Sequence, residues 1–405
     1  MDIKPIHRCS VGIDVHLNKL VVCILRELDN GEIDIQIREF GGFKRDRREM
    51  SEWIASFQPE VVIMESTGIY WKSPYAALEK AGIKATLVNA RHVAKVEGRK
   101  TDICDAQWLA MLGRCGLLRG SFIPPEELRH LRQLTRYHDR LTKTLIAEKN
   151  RLLKVLADAG IRLSALVSDP HGVACRNMID VLLNGGKPEQ AIRFVGRLKA
   201  DKDEILASLD GELTQHHLFL ARKIQNHIDD IEKSLAECEI YVFNELSDYQ
   251  SLFDLLLTIP GMDRLAIAKL IVEIGVDMSC FGNTGRLAAW TGLCPGNHES
   301  AGKRKNAKTA PANPYVRRLL IEVAHAAVKT QCYFREFHQS LVMRRGRKKA
   351  IVATAHKIIK VVYILLTRQT TYKDKTIDFE QFRTKRNAPR WIKALRKHGM
   401  LPAVP

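Results

Sequence analysis

Cys9-Ser10-Val11-Gly12-Ile13-Asp14-Val15-His16 opens a run of three apolar, β-branched segments, continued by Leu20 to Leu25 and Ile33 to Phe40. Leu17-Asn18-Lys19 and Asp29-Asn30-Gly31 separate them, so the spacing predicts three strands joined by tight connections. The period then changes. Phe43 to Phe57 repeats at helical intervals, Val61-Val62-Ile63-Met64 reads as a short buried strand, and Ile69 to Ala81 as a helix. Ile83 to Val88 reads as a strand and Thr101 to Gly113 as a further helix, with Thr101 as its cap.

Three hairpin-like strands followed by alternating helix and strand predict a mixed sheet covered by helices on both faces. That is the RNase H-like α/β arrangement, expected over residues 1–125. After Pro124-Pro125 the strand signals stop. A long helix is expected from Glu126 to Ala159, with Leu131, Leu134, Leu141, Leu145, Leu152 and Val155 on one side. A second carries Ile224, Ile228, Ile231, Leu235, Cys238 and Val242 at steps of four and three, the seam of a coiled coil. These helices read either as an antiparallel pair or oligomerisation arm, or as two members of an ordinary bundle. They define a helical, coiled-coil middle region, 126–248, with a smaller helical insertion around the Asn184-Gly185-Gly186-Lys187-Pro188 loop.

The last region, 249–405, is expected to be mainly α. Ile259-Pro260-Gly261-Met262-Asp263 before Leu265 to Ile271 resembles a helix-hairpin-helix turn, although Asp263 replaces the second glycine. Ala350 to Leu366 is apolar but carries His356, Lys357 and Lys360, which favours an amphipathic helix over a membrane span. With no signal-peptide layout at the N-terminus, the expected location is the cytosol. The nine cysteines show no CxxC spacing, which argues against a zinc site or a disulfide framework.

The 405 residues carry 64 lysines and arginines against 46 acidic residues, a formal charge of +18. A polyanionic partner follows from that balance. Between Ser300 and Ala350, thirteen basic residues face two acidic ones. Lys303, Arg304, Lys305, Lys308, Arg317, Arg318, Arg344, Arg345, Arg347, Lys348 and Lys349 make this stretch the expected DNA and RNA footprint. Ser300 itself sits in a segment from Pro295 to Pro314, rich in glycine, lysine, arginine and asparagine, that reads as a mobile loop. His92, His138, His217 and His325 lie on helices or their edges, and no HExxH spacing occurs, so no histidine base is assigned.

Four carboxylates fall where the expected sheet would gather them. Asp14 lies on the first strand, Glu65 immediately follows the fourth, and Asp102 and Asp105 are three apart on the helix after the fifth. Each alone has an ordinary reading as a turn, cap or helix-start residue; their joint placement carries the inference. Gathered carboxylates repel one another unless cations neutralise them, and hard oxygen donors suit magnesium or manganese. Two such ions about 4 Å apart can hold both oxygens of a phosphodiester displacement. The expected chemistry is phosphoryl transfer.

Gly12-Ile13-Asp14-Val15, Met64-Glu65-Ser66-Thr67-Gly68-Ile69-Tyr70-Trp71 and Arg99-Lys100-Thr101-Asp102-Ile103-Cys104-Asp105-Ala106 resemble the signature segments of the DEDD transposases of insertion-sequence family one-hundred-ten, which include bridge-RNA-guided recombinases. The likeness continues through Ile259-Pro260-Gly261, Ala288 to Gly296, Ser300-Ala301-Gly302-Lys303-Arg304, and Asn313 to Leu320, and thus over nearly the whole chain. Ala301 and Ala312 stand where the family commonly has glycine, and residues beyond about Thr370 match no motif. The resemblance implies a RuvC-like domain whose Asp14, Glu65, Asp102 and Asp105 hold magnesium, and a C-terminal transposase domain whose nucleophile is Ser300. It also implies a homo-oligomer, dimer or tetramer, with the acidic cluster of one subunit completed by the serine of another. A structured RNA encoded by the element would pair with donor and target DNA. The competing readings are a metal-dependent nuclease or junction resolvase that uses water, and a non-catalytic nucleic-acid-binding scaffold.

Overall fold

Strands β1 (Cys9–Val15), β2 (Lys19–Glu27), β3 (Ile33–Gly41), β4 (Val61–Glu65) and β5 (Ala85–Val88) pair in the order β3-β2-β1-β4-β5. The first three are antiparallel, whereas β4 runs parallel to β1 and β5 parallel to β4. This is the mixed sheet that the sequence predicts. The computed structural model describes residues 4–65, 68–93, 104–295, 298–300, 303–306, 309, 312–374 and 379–401. Its chain divides into two units, Met1–Glu126 and Glu127–Pro405.

Alternation along β1 sorts its side chains between two layers. Val11, Ile13 and Val15 pack with Met50 and Ile54 of α1 (Lys44–Ser56) and Leu78 of α2 (Lys72–Lys80). Ser10 and Gly12 point to the other face, beneath α4 (Asp105–Arg114), which follows the single-turn α3 (Ala90–Val93). Ser10 Oγ donates to the Ala110 carbonyl at 3.0 Å. A Cβ on Gly12 would lie 2.0 Å from the Ala106 carbonyl oxygen, so only glycine lets this helix seat on the strand. Because Ser10 meets Ala110 while Gly12 meets Ala106, α4 runs antiparallel to β1, with its N-terminus toward the C-terminal end of the strand.

Of the boundaries that differ from expectation, two bear on the site. Glu65 is the last residue of β4 and does not lie beyond it. The final helix begins at Asp105, with Cys104 as its N-cap; Cys104 Sγ accepts from Gln107 N–H at 3.4 Å. Thr101 is therefore not the residue that caps it, and Thr101 and Asp102 lie outside the described residues.

In the second unit, α5 (Glu126–Asp158) and α9 (Gln215–Glu245) are the two long helices. They run antiparallel within one chain: Asp158 pairs with His217 at 3.0 Å, Lys149 with Glu232 at 2.8 Å and His138 with Glu239 at 2.9 Å. Ile224 and Ile228 of α9 and Leu152 and Val155 of α5 share a core with α6 (Val173–Leu183) and α8 (Lys202–Leu209), and short α7 (Pro188–Ala191) closes it.

The chain continues through α10 (Gln250–Leu257), α11 (Arg264–Ile274) and α12 (Thr284–Trp290) to a two-stranded hairpin, β6 (His298–Ser300) and β7 (Lys303–Asn306). Helices α13 (Pro314–Ala327), α14 (Tyr333–Arg345), α15 (Arg347–Arg368) and α16 (Phe379–Lys397) complete it. By length and composition alone α15 could cross a membrane. Its apolar face, including Ala355, Ile358, Ile359 and Val362, is buried, and α15 packs against α10, α12, α13 and α14.

Candidate functional site

β1 and β4 are paired in parallel with Ile13 opposite Met64, so the next residues, Asp14 and Glu65, stand side by side at the same end of the sheet. Both belong to the face that α4 covers. Asp14 pairs with Val21, which packs beside Ala106 and Ala110, and Glu65 pairs with Val88, which packs beside Leu109. Asp105, the first residue of α4, is exposed at the helix end that lies toward Asp14. The positive end of the helix macrodipole favours carboxylates there.

The Asp14 side chain is only 16% exposed, and its Oδ2 lies 2.9 Å from His16 Nε2. His16 was not among the expected site residues. Its signal was the two-residue spacing from Asp14, which puts both side chains on one side of an extended segment. Among the described residues, no three His, Cys, Asp or Glu side chains are close enough together to hold a metal ion. Asp14, Glu65 and Asp105 thus share one end and one face of the sheet without closing into a cage, and Asp102 lies outside the described residues. As a donor set, a shielded aspartate, an adjacent glutamate and a helix-start aspartate suit a hard divalent cation such as magnesium or manganese.

Ser300 is the final residue of β6, opposite Lys303 in the register of the hairpin. The expected loop is therefore replaced by paired strands. Glu299 pairs with Arg304 and His298 with Asn306, and an isolated bridge joins Pro295 to Thr309 farther down the stem. Lys303, Arg304 and Lys305 lie on β7, while Lys308 lies outside the described residues.

The base of this stem is clamped from α13. Arg317 donates to the Gly292 carbonyl at 3.2 Å and to Thr309 Oγ1, holding both legs together. Asn313 N–H donates to the Trp290 carbonyl at 3.3 Å, and its Oδ1 caps α13 by accepting from Tyr315 and Val316. Asn313 Nδ2 in turn donates to Glu273 at 2.7 Å. Glu273, 3% exposed on α11, also accepts from Nε and Nη2 of Arg136 at 2.7 and 3.0 Å. Beside it, Arg132 Nε lies 3.2 Å from the same carboxylate. Burial lowers the pKa of Arg132 to about 10 despite that carboxylate. Arg318 is paired with Asp139, which also binds Lys269 at 2.9 Å. Arg317 and Arg318, both expected to bind nucleic acid, thus have their guanidinium groups engaged within the protein. Sequence spacing offered no signal for Glu273, because its partners are distant in the chain.

Arg344 and Arg345 end α14 and Arg347, Lys348 and Lys349 begin α15; all five are exposed around Gly346. At the Ile259-Pro260-Gly261 turn, Asp263 Oδ1 accepts from Ala266 N–H at 2.7 Å. A Cβ on Gly261 would lie 2.5 Å from Ala327 N and 2.6 Å from the Val323 carbonyl oxygen, so this turn packs closely against α13.

Residues 11–161 match a transposase model of the DEDD IS110 type, and residues 253–339 match the model of the transposase IS116/IS110/IS902 family. The chain is 25% identical to the transposase for insertion sequence element IS1111A of Coxiella burnetii, over 79% of this chain and 81% of that protein. It is 23% identical to a probable family 20 transposase of Pseudomonas aeruginosa, over 81% of this chain and 90% of that protein. Among solved structures, the RuvC of Thermus thermophilus matches at 14% identity, covering 28% of this chain and 99% of that one, with a TM-score of 0.22. A five-stranded mixed sheet followed by a helical unit with an inserted hairpin, matched in this order by two transposase models, defines a DNA transposase. The chain belongs to the IS110 family of DEDD transposases.

Proposed function

We propose that this transposase breaks and rejoins DNA with Ser300 as nucleophile, and that the acidic end of the sheet serves the same reaction. The observation that carries the reading is the parallel register of β1 and β4, which sets Asp14 beside Glu65 under the start of α4. Asp14, Glu65, Asp102 and Asp105 would hold magnesium or manganese, which supplies charge neutralisation at the phosphate. His16 orients the Asp14 carboxylate.

Ser300 Oγ attacks the phosphorus, loses its proton, and displaces the 3′ oxygen of the scissile bond. That oxygen leaves as a free 3′ hydroxyl, and the phosphoserine ester conserves the bond energy for rejoining. A hairpin with a clamped base suits a nucleophile that must be aimed. On the same hairpin, Lys303 or Arg304 would stabilise charge on the phosphate oxygens, and Lys305 and Lys308 would add to nucleic-acid binding.

The exposed group from Arg344 to Lys349 contributes to the nucleic-acid surface. No acidic residue occupies the first turn of α15, so its cations stand against the positive end of a helix dipole, an arrangement that an approaching phosphate relieves. The protein would work in the cytosol as a homo-oligomer, a dimer or tetramer, with the long helices of region 126–248 as its assembly arms and 249–405 as the serine-bearing domain. Target choice would be delegated to a structured RNA encoded by the element.

The test is to incubate the protein with magnesium, the RNA flanking its gene, and labelled donor and target DNA, and to look for label that stays on the protein through boiling. An adduct formed by the wild type, absent in Ser300→Ala and absent in Asp14→Asn, is the expected result. Cleavage without adduct, unchanged in Ser300→Ala, would establish water as the nucleophile and overturn the proposal.

A further inference from the structure

Helix α16 lies outside both regions that match transposase models, 11–161 and 253–339. Its nineteen residues hold seven lysines and arginines and one glutamate. Arg383, Arg386, Arg390, Lys393 and Lys397 follow at steps of three, four, three and four. On a helix that spacing makes one straight row, about 21 Å long at 1.5 Å per residue. Ala388, Trp391, Ile392 and Leu395 occupy the opposite side. Residues 387 and 388 are half-buried, every residue from Pro389 to Lys397 is exposed, and the helix packs on α14. Among the described residues, no ion pair involves α16.

Among the described residues Arg390, Lys393 and Lys397 have no ion-pair partner, and i,i+3 and i,i+4 like-charge neighbours weaken an isolated helix by a few tenths of a kcal/mol each. Only an external polyanion turns that arrangement into a gain. The apolar side is poor for a lipid surface, since Pro389 interrupts it and only Trp391, Ile392 and Leu395 are bulky, each 38 to 43% exposed. A row of long basic side chains of this length instead matches a run of backbone phosphates. The row carries no Asn or Gln of the kind that reads adenine, which points to phosphate contact.

We propose that α16 is a further nucleic-acid-binding element of this transposase, a helix that lies along a phosphodiester backbone through Arg390, Lys393 and Lys397, with the donor or target duplex as its ligand. It adds affinity without sequence choice, and it sits against α14, the helix that ends in Arg344 and Arg345.

The experiment measures binding of the full chain to a random-sequence 40-base-pair DNA duplex and, in a second arm, to a hairpin RNA of similar charge, from low to moderate salt. The variant is Arg390→Ala, Lys393→Ala, Lys397→Ala combined; all three side chains are exposed, and an unchanged melting temperature verifies the fold. On duplex DNA the slope of log K against log salt should fall by about 2 to 3, since each lost phosphate contact removes about 0.9. The double variant Lys393→Ala, Lys397→Ala should lose about two-thirds as much, and Arg390→Lys alone should leave the slope intact. An unchanged slope on DNA in the triple variant overturns the assignment to duplex DNA. If the RNA slope falls instead, the backbone that α16 follows is RNA; if neither changes, α16 is not a nucleic-acid element.

Discussion

Replacing Gly12 by alanine would place a methyl group 2.0 Å from the Ala106 carbonyl oxygen and 2.5 Å from Ala110 N. Both atoms are backbone, so no rotamer change relieves the overlap. To recover an ordinary contact, α4 must retreat from β1 by roughly 1.4 Å. Overpacking of this kind typically costs about 1–3 kcal/mol, which for a unit of this size lowers its melting temperature by about 4–12 °C. The retreat also carries Asp105 away from Asp14 and Glu65, and a misplacement of about 1 Å can cost about a hundredfold in rate. Gly12→Ala should therefore cleave labelled donor DNA about tenfold to a hundredfold more slowly at temperatures where it is still folded. The control is Ser10→Ala. It removes one hydrogen bond to α4, worth about 1 kcal/mol, but leaves the helix seated and should cleave at nearly the wild-type rate. Calorimetry and single-turnover cleavage on the same samples give both numbers. A Gly12→Ala protein that melts and cleaves like wild type would show that the seat of α4 on β1 does not position the acidic end.

Glu273→Ala leaves Arg132 and Arg136 without their buried carboxylate and should destabilise the second unit by about 3–5 kcal/mol in urea titrations; a midpoint within error of wild type would remove it as the anchor of the hairpin base. Arg317→Ala frees the two legs of the stem, so phosphoserine adduct should form at least tenfold more slowly while DNA affinity stays within about twofold. Equal losses in both would mean that Arg317 acts on DNA directly. The Glu232 carboxyl is held down to about 2, chiefly by its hydrogen bonds from Arg176. A depressed pKa stabilises the fold fully above the ordinary value of 4.5, and that contribution disappears as pH falls toward 2. In Glu232→Gln the fall in stability over this acid window should be shallower; an identical acid limb would refute the linkage.

Alternating apolar residues in β1 and β2 and helical spacing in α1, α5 and α9 depend on neighbours a few positions away, so the elements, the mixed sheet and the candidate carboxylates were legible in the chain itself. The start of α4 was not. Thr101 looks like a cap by residue type, yet Cys104 adopts the capping backbone and its sulfur takes the Gln107 N–H. The segment around Ser300 reads as a loop because it is polar and rich in glycine, whereas its pairing as β6 and β7 depends on backbone hydrogen bonds to which side-chain polarity is nearly silent.

The basic residues near Ser300 look alike in the sequence and differ only in their partners. Arg317 and Arg318 bind Thr309 and Asp139, while Arg344 to Lys349 stay exposed. The sequence by itself determined periodicity, charge and the identity of the candidate carboxylates and serine, all of them local properties. Tertiary structure alone decided the register that sets Ile13 opposite Met64, that α4 closes on Gly12, and that Glu273 anchors the base of the serine hairpin. Each of those joins residues far apart in the chain, where contact depends on strand register and close packing and not on the order of neighbours.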